Sequence, residues 1–163
     1  MNVIGIVGWK NSGKTTLASA LIRELSNRGL TVSSIKHAHH MVDVDQPGTD
    51  SYKHRDAGAR EVILAGGQRF AIMHELRGAE EPTLDELLGR LGPCDWVVVE
   101  GFKTRSHPKI EVHRRESSRM PLYKEDASII AVASDYAADF SGPVFNVNNV
   151  PAIADFILNR EIP

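Results

Sequence analysis

Nine residues near the start of the chain carry the clearest chemistry. Gly8-Trp9-Lys10-Asn11-Ser12-Gly13-Lys14-Thr15-Thr16 spells G-x-x-x-x-G-K-T, after the apolar run Val3-Ile4-Gly5-Ile6-Val7 and before Leu17-Ala18-Ser19-Ala20-Leu21-Ile22 at helical spacing. A strand before and a helix after is the setting in which this pattern wraps around phosphate. Gly8 and Gly13 let the backbone curl through torsions closed to other residues. The curl aims main-chain N–H groups at the opening of a helix whose dipole also favours an anion. The nucleotide-binding set read from it is Gly8, Asn11, Ser12, Gly13, Lys14, Thr15 and Thr16. Lys14 supplies a mobile positive charge to the β and γ phosphates, as a catalytic group, and the Thr15 hydroxyl is a Mg²⁺ ligand.

Two further acids complete the predicted metal set. Glu100 ends the apolar run Trp96-Val97-Val98-Val99 and is followed by Gly101. At such a strand end it lies beside the phosphate loop, within reach of Mg²⁺, its water or an attacking nucleophile, and Gly101 joins the nucleotide set. Asp50 follows the loop after the second strand and is read as a Mg²⁺ ligand; capping a helix explains it nearly as well. Asp135, in Ala133-Ser134-Asp135, is placed to accept from the N1–H and exocyclic amine of guanine. Adenine lacks that donor pair, so the reading favours GTP over ATP. The Asn-Lys that usually precedes such an Asp is missing.

Other groups are less specific. His37, His39 and His40 stand near Asp43 and Asp45, a set acceptable to Zn²⁺ or Ni²⁺, but the spacing matches no closed zinc pattern. Lys36 and His37, at the end of the second strand, are expected to face the nucleotide or a partner. Lys103, Arg105, His107, Lys109, Arg114, Arg115 and Arg119 form a basic stretch whose default reading is a solvated face. No arginine or glutamine near the loop stands out as a stabiliser of transferring charge, which predicts slow hydrolysis.

The elements needed to position these residues follow from periodicity. A helix over 13–27 has Leu17, Leu21 and Leu25 on one face, and Gly29 stops it before the strand over 30–35. Strand, helix, strand in this order makes a right-handed parallel crossover. A short helix is expected from Thr49 or Asp50 through Ala57, then a hairpin of Glu61–Ala65 and Phe70–Met73 across Gly66-Gly67. Thr83 and Glu86 pair as a capping box for a helix ending at Gly92-Pro93. Trp96–Val99 and Ile129–Ala133 read as buried strands, and Val144–Val147 as a short last strand. Lys109–His113 alternates through Ile110 and Val112, so it reads as half-exposed. Pro151 opens a final helix. The fold class is α/β: a P-loop NTPase-type, mostly parallel sheet flanked by helices, with an inserted β-hairpin expected to serve dimerisation.

The bulk numbers agree. A chain of 163 residues suits one domain over 1–163. A formal charge of −2 argues against a general nucleic-acid binder. The one cysteine, Cys94, excludes an intrachain disulfide and fits a cytoplasmic setting. No apolar stretch approaches the roughly 18–20 residues that span a bilayer, so no membrane partner is expected.

Taken together, the loop Gly8–Thr16, Ile35-Lys36-His37-x-His39-His40, Asp43-Val44-Asp45-x-Pro47-Gly48-x-Asp50-Ser51, Ala57-Gly58-Ala59, Val98-Val99-Glu100-Gly101-Phe102-Lys103 and Ile130–Asp135 resemble the MobB family of molybdopterin-guanine dinucleotide biosynthesis. The resemblance implies a homodimeric, GTP-binding adaptor with weak intrinsic GTPase activity. It also implies a guanylyltransferase of the MobA type as partner, with molybdopterin or molybdoenzymes as further ones. From the residues alone, a small-metabolite kinase and a metal-delivery GTPase stay open as alternatives.

Overall fold

The computed structural model describes residues 1–38 and 43–160. The elements in chain order are β1 (Asn2–Val7), α1 (Lys14–Asn27), β2 (Val32–Lys36), α2 (Asp50–Asp56), β3 (Glu61–Ala65), β4 (Phe70–His74), α3 (Leu84–Leu88), β5 (Trp96–Glu100), β6 (Lys109–His113), β7 (Ile129–Ser134), β8 (Val144–Asn146) and α4 (Val150–Leu158). They fall into two compact units, Met1–His37 with Leu84–Pro163, and Ala38–Thr83.

The first unit is built on a six-stranded sheet in the order β2-β5-β1-β6-β7-β8. Every pairing in it is parallel. β1 is therefore central, with β5 on one side and β6 on the other, and Ile6 stands in register with both Glu100 and Ile110. Three chain exits meet at that edge. α1 and α4 cover one face: Leu17, Leu21, Leu25, Ile153 and Ile157 pack with Ile4, Ile6, Val98, Ile110, Val112, Ala131 and Ala133. Each such aliphatic side chain, removed from water, contributes about 1.5–3 kcal/mol before chain entropy is counted. On the other face Leu84 packs with Val97, Val99 and Phe102. α3 is only five residues long.

The expectation of a half-exposed β6 is corrected by the structure. All five of its residues are buried. Ile110 and Val112 enter the apolar core, while Lys109, Glu111 and His113 are buried on the opposite face. The Lys109 ammonium donates to Asp126 at 2.8 Å and Ser128 at 2.6 Å. Glu111 accepts the Leu122 and Tyr123 amides, both at 2.9 Å. Alternation was read correctly, but the polar face is roofed by the irregular chain after β6 rather than by water.

In the second unit α2 is capped by Thr49, whose hydroxyl accepts the Tyr52 amide at 3.3 Å. Arg55, late in α2, ties to Asp43 at 2.8 Å and to Glu75 at 2.6 Å. β3 and β4 form the expected antiparallel hairpin, with Ile63 opposite Ile72 and Ala65 opposite Phe70.

Candidate functional site

The loop Gly8–Thr16 takes the torsions its glycines predict. Gly8 has φ 146° and Gly13 φ 99°, while Asn11 adopts a left-handed φ of 63°. A Cβ on Gly8 would run into the Val112 carbonyl oxygen, so the loop's close approach to β6 requires glycine there. The Ser12 amide donates to the Trp9 carbonyl at 3.2 Å and closes the turn. α1 then starts at Lys14 with no acidic residue in its first turn and no capping side chain among the described residues. That leaves the positive end of the helix and its first N–H groups to an anion.

Lys14 reaches back across the loop, its Nζ donating to the Trp9 carbonyl at 2.7 Å. Burial, then repulsion from Lys103, hold its pKa below the ordinary lysine value, and Glu100 works in the opposite direction. The Thr15 hydroxyl donates to Glu100 Oε1 at 2.7 Å. Lys36 Nζ lies 3.5 Å from the same carboxylate oxygen and 3.4 Å from the Thr15 hydroxyl. Lys14, Thr15, Glu100 and Lys36 thus meet in one place, because β1, β5 and β2 are neighbours. A threonine hydroxyl and a carboxylate this close are hard oxygen donors of the kind Mg²⁺ takes alongside its waters, so the donor set fits that ion. Gly101 has φ 102°, and a Cβ there would lie 2.9 Å from that of His37. His37 stacks on Phe102, with ring centroids 4.5 Å apart.

On the opposite side of β1, Asp135 follows β7. Its Oδ1 accepts the Arg115 amide at 2.9 Å, which is the main reason its pKa lies below the usual aspartate value. Arg114, the first residue past β6, donates from Nε to the Ser12 carbonyl at 3.1 Å. An arginine therefore stands beside the loop, which the linear sequence did not signal. Its neighbour across β6, β1, carries the loop, so the residue leaving β6 lands beside it; strand adjacency is not legible along the chain.

The solvated-face reading of the basic stretch holds for Arg105, Arg115 and Arg119, which are exposed, but not for the buried Lys109 or the half-buried Lys103, His107 and Arg114. Trp9 donates its indole N–H to the Met120 carbonyl at 2.8 Å. Lys103 Nζ and Arg119 Cζ lie 4.4 and 5.1 Å from its ring centroid. Such contacts stabilise by about 0.5–1 kcal/mol each at partly exposed sites. Trp9, Asn11, Ser12, His113 and Arg114 line a cavity of about 200 Å³.

Asp50 is the first residue of α2, in the second unit. Its carboxylate is 93% exposed and takes Lys53 Nζ at 3.0 Å, and Thr49 rather than Asp50 is the cap. His39 and His40 lie outside the described residues. Among the described residues there is no group of three or more His, Cys, Asp or Glu able to hold a metal.

The family model described as MobB, Molybdopterin guanine dinucleotide synthesis protein B, matches residues 3–135. The chain belongs to the MobB family. A Haemophilus influenzae relative named molybdopterin-guanine dinucleotide biosynthesis adapter protein is 43% identical over 96% of this chain and 88% of its own. The Escherichia coli protein of the same name is 39% identical over 96% of this chain and 91% of its own. A crystal structure of molybdopterin-guanine biosynthesis protein B matches with TM-score 0.75 and 29% identity, over 96% of this chain and 97% of that one. A MobB homologue from Bacillus stearothermophilus matches with TM-score 0.72 and 26% identity, over 98% and 100%. The parallel sheet with its separate hairpin is thus the MobB architecture. No helix among the described residues is long and apolar enough to cross a membrane.

Proposed function

We propose that this MobB-family adaptor of molybdopterin-guanine dinucleotide biosynthesis works as a GTP-binding protein with slow intrinsic hydrolysis. Support comes above all from one observation, the curled Gly8–Thr16 loop with Lys14 and the Thr15–Glu100 pair at its mouth. Main-chain N–H groups from Asn11 to Thr16 hold the phosphates, and Lys14 exchanges the Trp9 carbonyl for phosphate oxygens. Thr15 and Glu100 hold Mg²⁺, which when bound neutralises charge on the β and γ phosphates. Asp50 remains a candidate for the same ion by sequence position. Gly101 keeps the Glu100 strand end close to the loop, and Asp135 reads guanine. Glu100 is the candidate to orient water, but its carboxylate also meets Thr15 and Lys36, which fits slow turnover.

The adaptor acts as a homodimer beside a MobA-type guanylyltransferase, with molybdopterin as further ligand. Ile63, Phe70 and Ile72 stand on one face of the hairpin and are 64%, 68% and 55% exposed. A second copy covers them. The family assignment favours this reading over a kinase or a metal-delivery GTPase.

Calorimetry with GTP, GDP and ATP, with and without Mg²⁺, tests the site. Preference for GTP is expected; equal affinity for ATP removes the guanine assignment. Lys14→Ala should weaken GTP binding by about a hundredfold, and retained affinity would mean the loop is not used. Phe70→Asp with Ile72→Asp should give a monomer in sedimentation; a persistent dimer overturns the hairpin interface.

A further inference from the structure

Two consecutive arginines face the two oxygens of one carboxylate, one by a hydrogen bond and one by charge. Arg115 donates its main-chain N–H to Asp135 Oδ1 at 2.9 Å, and the Arg114 guanidinium stands 3.7 Å from Oδ2. The same guanidinium donates to the Ser12 carbonyl of the phosphate loop at 3.1 Å, and another of its nitrogens comes within 3.2 Å of where a Cβ on Gly13 would lie. Arg114 therefore spans from the loop to Asp135 with a planar group whose donors point both ways. A lysine ammonium has no such fork.

The side of the loop matters. Thr15, Glu100 and Lys36, the groups for Mg²⁺ and the terminal phosphate, gather where β5 and β2 end. Arg114 and Asp135 leave β6 and β7, across β1 from them. A nucleotide whose metal-bearing phosphates sit on the β5 side directs its nucleoside toward the β6–β7 side. Arg114 is thus at the nucleoside end rather than the hydrolytic end.

We propose that Arg114 is a positioning residue for base selection: it locks the Asp135 carboxylate to the phosphate loop and thereby sets the preference for guanine over adenine. This rests on the guanine-nucleotide reading above. A carboxylate free to swing relative to the loop could meet either purine through water. One fixed at a set distance presents an acceptor that only guanine's N1–H and amine satisfy.

The test is calorimetry with GDP and ADP, neither of which has a γ phosphate to lose, on the wild-type protein and on Arg114→Ala, Arg114→Lys and Asp135→Asn. Arg114→Ala should lose about tenfold in GDP affinity, the scale of one charge-assisted hydrogen bond. Its GDP-to-ADP ratio should fall to that of Asp135→Asn. Arg114→Lys should regain part of the affinity through its charge but not the ratio, and it carries the test if the alanine variant does not fold. A purely structural role would lower both affinities together and leave the ratio at the wild-type value, which overturns the proposal. A wild-type protein that binds GDP and ADP alike would instead overturn the guanine reading itself, and this inference with it.

Discussion

The two faces of β6 solve the problem of burial in opposite ways. Toward α1 and α4, Ile110 and Val112 join an apolar core with no polar group to satisfy. One residue along, Lys109, Glu111 and His113 are equally enclosed, but against the irregular chain between β6 and β7. Each has a named partner: Asp126 and Ser128 for Lys109, two amides for Glu111, and for His113 the Arg119 carbonyl at 3.3 Å, with the Tyr136 hydroxyl from beyond β7 at 2.9 Å. An apolar face tolerates imprecision, since burial is roughly proportional to area. The polar face does not, because a buried polar or charged group without its partner is strongly unfavourable. The second face thereby holds the 114–123 segment, and with it Arg114 and the Trp9 contacts, against the Gly8–Thr16 loop.

The largest expected effect is on the polar face. Asp126→Ala leaves the ammonium of Lys109, 1% exposed, without its ion partner and should cost about 3–5 kcal/mol in urea unfolding. Replacing the pair together, Lys109→Met with Asp126→Leu, should be nearly neutral; a loss as large as the single variant's would mean the charges themselves are required. Ile110→Val, on the apolar face, should cost only about 0.5–1.5 kcal/mol. A cost above that of Asp126→Ala would reverse the comparison.

Stability should also depend on pH through His107. His107 is pushed down to about 4 by burial, with the Lys109 ammonium adding to it and Asp126 opposing. Neither of its ring nitrogens has a partner among the described residues. The unfolded chain takes up this proton at about 6.5 and the folded protein only near 4, so His107's stabilising contribution is complete above 6.5 and declines as pH falls toward 4. Glu111, raised chiefly by burial, has the opposite sign: its ionised form costs stability, relieved on acidification. The His107 share is therefore the difference between wild type and His107→Leu in urea midpoints from pH 7 to pH 5. Parallel curves would refute it. The smallest effect belongs to Lys124→Ala, whose partner Asp139 is 98% exposed at 3.0 Å, and which should leave the urea midpoint where it is in the wild type.

What the linear order of residues carried was local. The glycine spacing of Gly8 and Gly13, the four-residue period of Leu17, Leu21 and Leu25, and the unbroken apolar run into Glu100 each state a backbone requirement within a few positions. The loop, α1, β5, the hairpin and the Thr15–Glu100 pairing were legible on that basis. Strand adjacency was not written there. Nothing in the chain says that β6 lies beside β1, so Arg114, about a hundred residues from Ser12, read as one more surface cation.

Alternation in β6 was visible too, yet the sequence could not say what covers its polar side. Period two reports which residues share a face, not whether that face meets water or another stretch of chain. The sequence by itself determined the curled loop Gly8–Thr16 and the strands and helices that frame it, since those follow from torsions and short-range periodicity. Only the tertiary structure decided that a row of charges is buried beneath a strap and that two arginines reach the site. Long-range contacts settle which donors meet which acceptors, and those contacts exist only once the sheet has its order.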